Sequence, residues 1–452
     1  MSGLAELLVN LGYKVTGSDL SLSPITSRLE SLGVECAEGH DARYVAGAEL
    51  VVVSSAVPID NPEWVAAAEL EIPIISRGAM LAELTSLKRT VAVVGSHGKT
   101  TTTAMVAVVL EAAGLDPTAV IGGRLSKFGS NSRLGHGDFM VVEGDESDRS
   151  FLRLAPEIAV LTNIDDEHLD AYDGMSDLEA AFFSFAQRTA KRGCVVACVD
   201  DPRLRRIASQ IEGRVVTYGI DDASAHVRAT DIQLESTRSR FRAFVSGKYA
   251  DAGVVDLSVT SPGRHNVENA LAAVAVGAEL LVPRDTLALA LAGFSGADRR
   301  FQVCGEVDGV VVIDDYAHHP TEISAALATA RLRIPGRLRV VFQPHRYSRT
   351  IRLLDRFGEA LAAADELILT EVYAASEVPI PGATAEAVAQ AVARFGHVPV
   401  RCVTTFDEVV ETVIRDARSG DVVVTLGAGS IGSVPSRIVD ALRARHPGRT
   451  IH

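Results

Sequence analysis

The chain is poor in aromatic residues, which make up 5% of its 452 positions and include a single Trp. A sequence that is 47% hydrophobic on that basis must build its core from Ala, Val and Leu. This favours α/β layers over a sandwich packed on aromatic rings. Cysteine is scarce as well. The five, at positions 36, 194, 198, 304 and 402, show no metal-type pairing, and Cys194 and Cys198 share an apolar strand-like run, so buried free thiols are expected. Positive charge is short: 44 Lys and Arg stand against 58 Asp and Glu, a net charge of -14. A nucleic-acid binder normally carries a basic face, so that class is excluded. Apolar runs such as 287–294 fall well short of the roughly 20 residues that span a bilayer. No signal peptide opens the chain, so the reading is a cytoplasmic protein with no membrane insertion. There is no repeat of fixed period and no low-complexity tract.

A chain of this length exceeds one compact core. Three domains are expected: 1–85, 86–296 and 297–452. In the first, Leu4, Leu7, Leu8 and Leu11 have the spacing of an amphipathic helix, and strands are expected over 13–19, 50–54 and 73–76. The second opens with a strand over 90–94, a glycine loop and a helix over 100–113. Strands over 139–143, 158–163 and 194–199 alternate with helices such as 178–190, which implies a mostly parallel sheet. A strand-rich stretch at 214–260 and a helix over 266–281 follow, and 293–297 is a plausible hinge. The third domain carries strands over 310–313, 339–343, 366–370 and 422–426, a second α/β unit.

The chemistry begins with Gly95-Ser96-His97-Gly98-Lys99-Thr100. Glycines let a backbone approach a polyphosphate, N–H groups at a helix start face it, Lys99 adds charge, and Thr100 can hold Mg²⁺. The loop is a shortened form, with Val93 where the general pattern has its first glycine. Glu143-Gly144-Asp145-Glu146-Ser147-Asp148 places acids just past a strand's carboxyl end, where open parallel sheets bind ligands. Thr162-Asn163-Ile164-Asp165-Asp166-Glu167-His168-Leu169-Asp170 sets a histidine among acids and could complete a metal site. Asn266 and Asn269 lie three apart near a helix start, where they can hydrogen-bond a base or cap the helix. Arginines in 298–300 and 345–349 suit phosphate or carboxylate through the planar guanidinium fork.

In order, GSDLS, GSHGKTTT, EGDESD, TNIDDEHLD, RHNVENALAA, FSGADRRFQ, DDYAHHPTE, FQPHRYSRT and TLGAGSIG run through nearly the whole chain. Together they resemble the Mur ligase family, the ligases of peptidoglycan synthesis. The resemblance implies a Rossmann-like N-terminal unit for a UDP-sugar, a central P-loop ATPase, and a Rossmann-like C-terminal unit that brings the amino acid. The implied reaction joins L-alanine to the lactyl carboxylate of UDP-N-acetylmuramate, using ATP and Mg²⁺ and passing through an acyl phosphate. By matching motifs, Gly95, Ser96, His97, Gly98, Lys99, Thr100 and Thr101 would take the ATP phosphates. Thr100 and Glu143 would bind Mg²⁺, and His168 would serve a second metal region. Asn266 and Asn269 would lie at the adenine, Arg300 and Asp315 would reach the nucleotide, and His345, Arg346 and Arg349 would hold L-alanine. Asp19 and Ser55 are candidates for the UDP side.

Related sequences open with a strand and a Gly-rich turn of the form GIGGIGMSGLAEL, whereas this one starts at Met1-Ser2-Gly3. The expectation is a first domain lacking most of its UDP-diphosphate loop, with weak UDP-sugar binding. Glu167 stands where aspartate is expected before the histidine, and Ser430 where aspartate is usual in the last glycine loop. Alternatives are the recycling ligase that attaches a tripeptide to the same sugar, and a nucleotide-binding regulator with slow ATPase. The third-domain motifs count against a regulator, which needs no amino-acid clamp.

Overall fold

The computed structural model describes residues 1–54, 56–125, 130–167, 169–246, 253–333 and 336–445. They form two compact units, one comprising 1–230, 242–257 and 268–294, the other 231–241, 258–267 and 295–452.

At the start of the chain, helix Ser2–Asn10 buries Leu4 and Leu7, as its spacing predicts, while Leu11 stays exposed. Four short strands follow: β1 (Thr16–Asp19), β2 (Glu35–Glu38), β3 (Val51–Val53) and β4 (Ile74–Ser76). They pair in parallel as β1 with β2 and β3 with β4. The polar β2 gives little hydrophobic signal and is missed by periodicity.

The large sheet is built from β5 (Arg89–Val94), β6 (Thr118–Leu125), β7 (Ser130–Arg133), β8 (Phe139–Glu143), β9 (Ile158–Leu161), β10 (Cys194–Cys198), β11 (Val215–Gly219), β12 (Val227–Leu234), β13 (Ser239–Val245) and β14 (Val254–Val259). Their spatial order is β14-β13-β12-β11-β10-β9-β5-β8-β6-β7. Val91, Ala92, Val93 and Val94 of β5 are fully buried, the continuous apolar run of a strand covered on both faces. Helix Lys99–Ala112 is buried at every residue from 100 to 110, so it is a core element and not an amphipathic surface one. By contrast β13 alternates strictly between buried and solvent-facing residues, the mark of a sheet with one wet face.

In the second unit, β15 (Gln302–Val307), β16 (Val310–Asp315), β17 (Leu338–Phe342), β18 (Glu366–Leu369), β19 (Val400–Cys402) and β20 (Val422–Leu426) form a sheet ordered β15-β16-β20-β17-β18-β19. Among the described residues of this sheet, β15 and β16 pair antiparallel, while β16–β20, β17–β20, β17–β18 and β18–β19 pair in parallel. Its core joins Val340, Phe342, Leu367 and Val424 to helix residues such as Phe357 and Val388.

All five cysteines are free, but only Cys194 and Cys198 are buried. Cys36 and Cys304 are half-buried and Cys402 is exposed, which corrects the expectation of uniformly buried thiols. Among the described residues, no helix is long and apolar enough to cross a membrane.

Candidate active site

Strand β5 lies between β9 and β8 and pairs in parallel with both. The chain therefore leaves this strand toward one side of the sheet and later returns on the other. At such a switch point the loops that follow neighbouring strands part and leave a crevice at the carboxyl ends. The loops after β5, β8 and β9 carry the three sequence clusters in question, so the topology brings together what the sequence scatters over 95–167.

The 95–98 loop needs its glycines. Gly95 has φ +152°, and a Cβ there would fall 2.0 Å from Thr162 Oγ1. Gly98, at φ +79°, is the N-cap of helix Lys99–Ala112. Having no side chain, it cannot accept from the first-turn N–H groups as Ser or Asp would, and those donors suit an anionic ligand. The loop is laced to the end of β9: His97 N donates to Asn163 Oδ1 at 2.7 Å, while His97 O accepts from Thr162 Oγ1 at 2.7 Å and Asn163 Nδ2 at 3.2 Å.

Lys99 Nζ donates to Gly95 O at 2.6 Å, to Ser96 O at 3.0 Å and to Glu146 Oε1 at 3.0 Å. Burial, the largest influence, opposes its charge, but the carboxylates of Glu146, Glu143 and Glu167 outweigh it and hold the ammonium's pKa above its ordinary value. Thr100 Oγ1 donates to Glu143 Oε2 at 3.0 Å and Oε1 at 3.3 Å, and Gly122 N donates to Glu143 Oε2 at 2.9 Å. A hydroxyl beside a carboxylate offers the hard oxygens that Mg²⁺ takes, so Thr100 and Glu143 fit that ion. Thr101 is buried in the first helical turn. His97 stands between two acids, with Nε2 2.9 Å from Asp165 Oδ2 and Nδ1 3.4 Å from Glu167 Oε2. His168, the histidine expected in a second metal region, lies outside the described residues, as does Ser55.

Asn269 turns toward the phosphate-loop helix: its Oδ1 accepts from Thr102 Oγ1 at 3.0 Å. A Cβ on Gly98 would come 2.6 Å from the same oxygen. Asn266, buried near the start of the same helix, donates from Nδ2 to Pro262 O at 2.9 Å.

In the second unit, Asp315 ends β16 and accepts from Phe301 N and Ala317 N, each at 2.7 Å. Burial pushes its carboxyl up to about 6, against the pull of Arg300 and those two donors. Arg300 lies 5.1 Å over the Tyr316 ring and 3.9 Å from Glu322 Oε1. His345, just past β17, stacks on Tyr373 with ring centroids 5.4 Å apart, and its Nδ1 is 3.3 Å from the Arg349 guanidinium. Arg346 adopts a left-handed φ of +69°, and its N donates to Tyr373 O at 2.8 Å. His345, Arg349 and Tyr373 thus form one cluster. Ser430 Oγ accepts from Gln343 Nε2 at 3.2 Å, which ties the last glycine loop to the residue after β17.

Asp19 ends β1 beside Ser18, whose hydroxyl donates to Glu63 Oε1 at 2.6 Å and lies 3.1 Å from His40 Nδ1. Sequence reasoning does not isolate His40 and Glu63, which lie in no glycine loop or acid run. Asn163, Asp165 and Glu146 stand in quoted motifs but carry no individual signal, and Glu167 is marked only as a departure from aspartate. In space, Asp165 and Glu167 flank His97.

Three family descriptions match the chain: Mur ligase family, catalytic domain, over residues 1–89; Mur ligase middle domain, over 93–277; and Mur ligase, glutamate ligase domain, over 299–429. The chain is 50% identical to the UDP-N-acetylmuramate–L-alanine ligase of Solibacter usitatus over 449 residues, 99% of this chain and 94% of that protein. Its identity to the Burkholderia cenocepacia ligase of the same name is also 50%, covering 98% and 96% of the two chains. Among solved structures, the UDP-N-acetylmuramate-alanine ligase of Thermotoga maritima superposes with a TM-score of 0.84 at 29% identity, covering 99% of this chain and 97% of that one. The murein peptide ligase of Psychrobacter arcticus gives 0.73 at 26% identity, over 100% and 97%.

Proposed function

Because the chain belongs to the Mur ligase family, we propose that it joins L-alanine to the lactyl carboxylate of UDP-N-acetylmuramate, with ATP converted to ADP and phosphate. The observation that carries this reading is the group Lys99, Thr100 and Glu143 at a helix start whose N-cap is glycine. The likeness to the alanine ligases supports the choice of amino acid.

A carboxylate resists attack by an amine until one of its oxygens becomes part of a leaving group. A carboxylate oxygen attacks the γ-phosphorus and ADP departs, leaving an acyl phosphate. The backbone N–H groups at the helix start, 98–101, grip the phosphates, and Lys99 neutralises charge on the group in transfer. Thr100 and Glu143 would hold Mg²⁺, and His168 is assigned to a second metal region; when bound, the ion would offset phosphate charge. The neutral amine of alanine then attacks the acyl carbon, phosphate leaves with the bridging oxygen, and the amide remains.

Asn266 and Asn269 are assigned to the adenine, and Arg300 and Asp315 to the nucleotide. His345, Arg346 and Arg349 take L-alanine, the guanidiniums being suited to its carboxylate. Asp19 and Ser55 are assigned to the UDP side. The segments 1–85, 86–296 and 297–452 would then serve the UDP-sugar, ATP and the amino acid in turn. The cytoplasm, where ATP is available, is the proposed compartment.

The test is phosphate release from Mg-ATP and UDP-N-acetylmuramate, with L-alanine, with the recycled tripeptide, or with neither. Release that depends on alanine supports the reading. Release that depends on the tripeptide, or on neither, overturns it.

A further inference from the structure

Lys99 is the residue that a phosphate loop extends to its nucleotide, yet its ammonium is already fully engaged. It has three N–H donors, and Gly95 O, Ser96 O and the Glu146 carboxylate take them at 2.6, 3.0 and 3.0 Å. The second Glu146 oxygen is also close, at 2.9 Å. Glu146 itself has no solvent exposure. Its backbone is pinned, since the buried Tyr172 hydroxyl donates to Glu146 O at 2.7 Å. The neighbouring Asp145 does not share the lysine's hydrogen bonds: its carboxylate takes Ser147 at 2.6 Å and Arg77 at 3.3 Å. Of the two partners, the fixed one is Glu146 and the one on a long flexible stem is Lys99.

A buried ammonium without a counter-charge is strongly unfavourable, so some anion must face Lys99 whenever phosphate does not. We propose that Glu146 is a positioning residue which holds Lys99 in the nucleotide-free protein and exchanges it with the nucleotide's phosphates. Nucleotide binding must then break the Lys99–Glu146 pair, which weakens affinity, and re-forming the pair favours release of ADP. The inference deepens the nucleotide-using reading and rests on that part of it.

The experiment is calorimetric titration of the full chain with ADP in the absence of Mg²⁺, which keeps the Glu143 site out of the measurement. Glu146→Gln removes the charge while keeping the shape, and the Kd for ADP is expected to fall about five-fold, close to 1 kcal/mol. In a Lys99→Met background the same change is expected to leave the Kd unmoved, because the competition has gone. In steady state, KM for ATP falls while kcat does not rise, a split that a purely structural role does not produce. Should the Gln variant fail to fold, Glu146→Asp retains the charge on a shorter stem and is expected to tighten ADP by a smaller factor. Unchanged or weaker ADP binding in these variants, or equal tightening with Lys99 absent, overturns the proposal. ADP binding without alanine-dependent phosphate release removes the ligase reading and leaves this one standing; a wild-type chain that binds no ADP removes both.

Discussion

The Thr100 hydroxyl reaches both oxygens of the Glu143 carboxylate, at 3.0 and 3.3 Å, across a separation of 43 residues. The contact exists because β5 and β8 are neighbours, with Val93 level with Glu143, so the turn after one strand faces the end of the other. Glu143→Gln preserves shape and hydrogen bonding but removes the charge that Mg²⁺ needs. The rate of ADP formation at saturating ATP is expected to fall at least about 100-fold, the scale of losing one electrostatic partner in a transition state. The melting temperature should move by no more than a few degrees, and a loss of activity matched by unfolding would undo the assignment.

Gly98→Ala tests the loop. At φ +79° any L-residue is strained, and the new Cβ would meet Asn269 Oδ1 at 2.6 Å. Nucleotide affinity, read by titration, is expected to drop more than ten-fold. Adding Asn269→Ala removes the clash but not the backbone strain, so stability should recover in part while affinity stays low, since the helix start is still displaced and Asn269 is proposed to meet the adenine. Full recovery of binding would show that neither matters.

His265 gives a pH signature. Burial, with Arg300 adding, lowers its pKa from 6.5 to about 4, against the pull of Glu322. The unfolded chain therefore binds a proton between about pH 4 and 6.5 that the folded chain does not, so this group makes stability rise with pH across that window. The contribution is of order 3 kcal/mol, at 1.36 kcal/mol for each pKa unit. Asp315 acts oppositely: its folded pKa, raised to about 6, makes stability fall as pH climbs from its unfolded value toward 6. Other carboxylates titrate in the same window, so the signature is the difference between two profiles. From pH 4 to 6.5 the denaturation free energy of His265→Asn should rise less steeply, or fall more steeply, than that of the wild type; a variant profile parallel to the wild type would contradict the assignment.

The strands around the phosphate loop were legible because they are long, apolar and bounded by turn residues. Val91, Ala92, Val93 and Val94 can hardly be anything else. The polar β2 and the two-glycine β6 were not, since pairing and not periodicity makes them strands. At the site, single motifs suggested chemistry but not partners. Lys99 and Glu146 stand 47 residues apart, and only the parallel order of the sheet shows that they meet. Likewise, the acids of 165–167 stand beside His168 in sequence, and only the fold shows that Asp165 and Glu167 also flank His97. His40 and Glu63 had no signal at all, being ordinary residues that the fold gathers around Ser18.

Lys99→Met removes the charge that the transferring phosphoryl group needs. It also leaves the fully buried Glu146 carboxylate without its cation, so the melting temperature should drop by several degrees, while phosphate release, measured below that temperature, falls at least about 1,000-fold. Retained turnover would remove Lys99 from the chemistry.

In the proposed reaction, ATP activates a carboxylate. The direct measurement uses UDP-N-acetylmuramate carrying oxygen-18 in its lactyl carboxylate, with Mg-ATP and L-alanine, and weighs the phosphate released. Passage through an acyl phosphate leaves the bridging oxygen on the departing phosphate, so one labelled oxygen per phosphate is predicted. Phosphate that carries no label, released while alanine is being joined, would contradict the account.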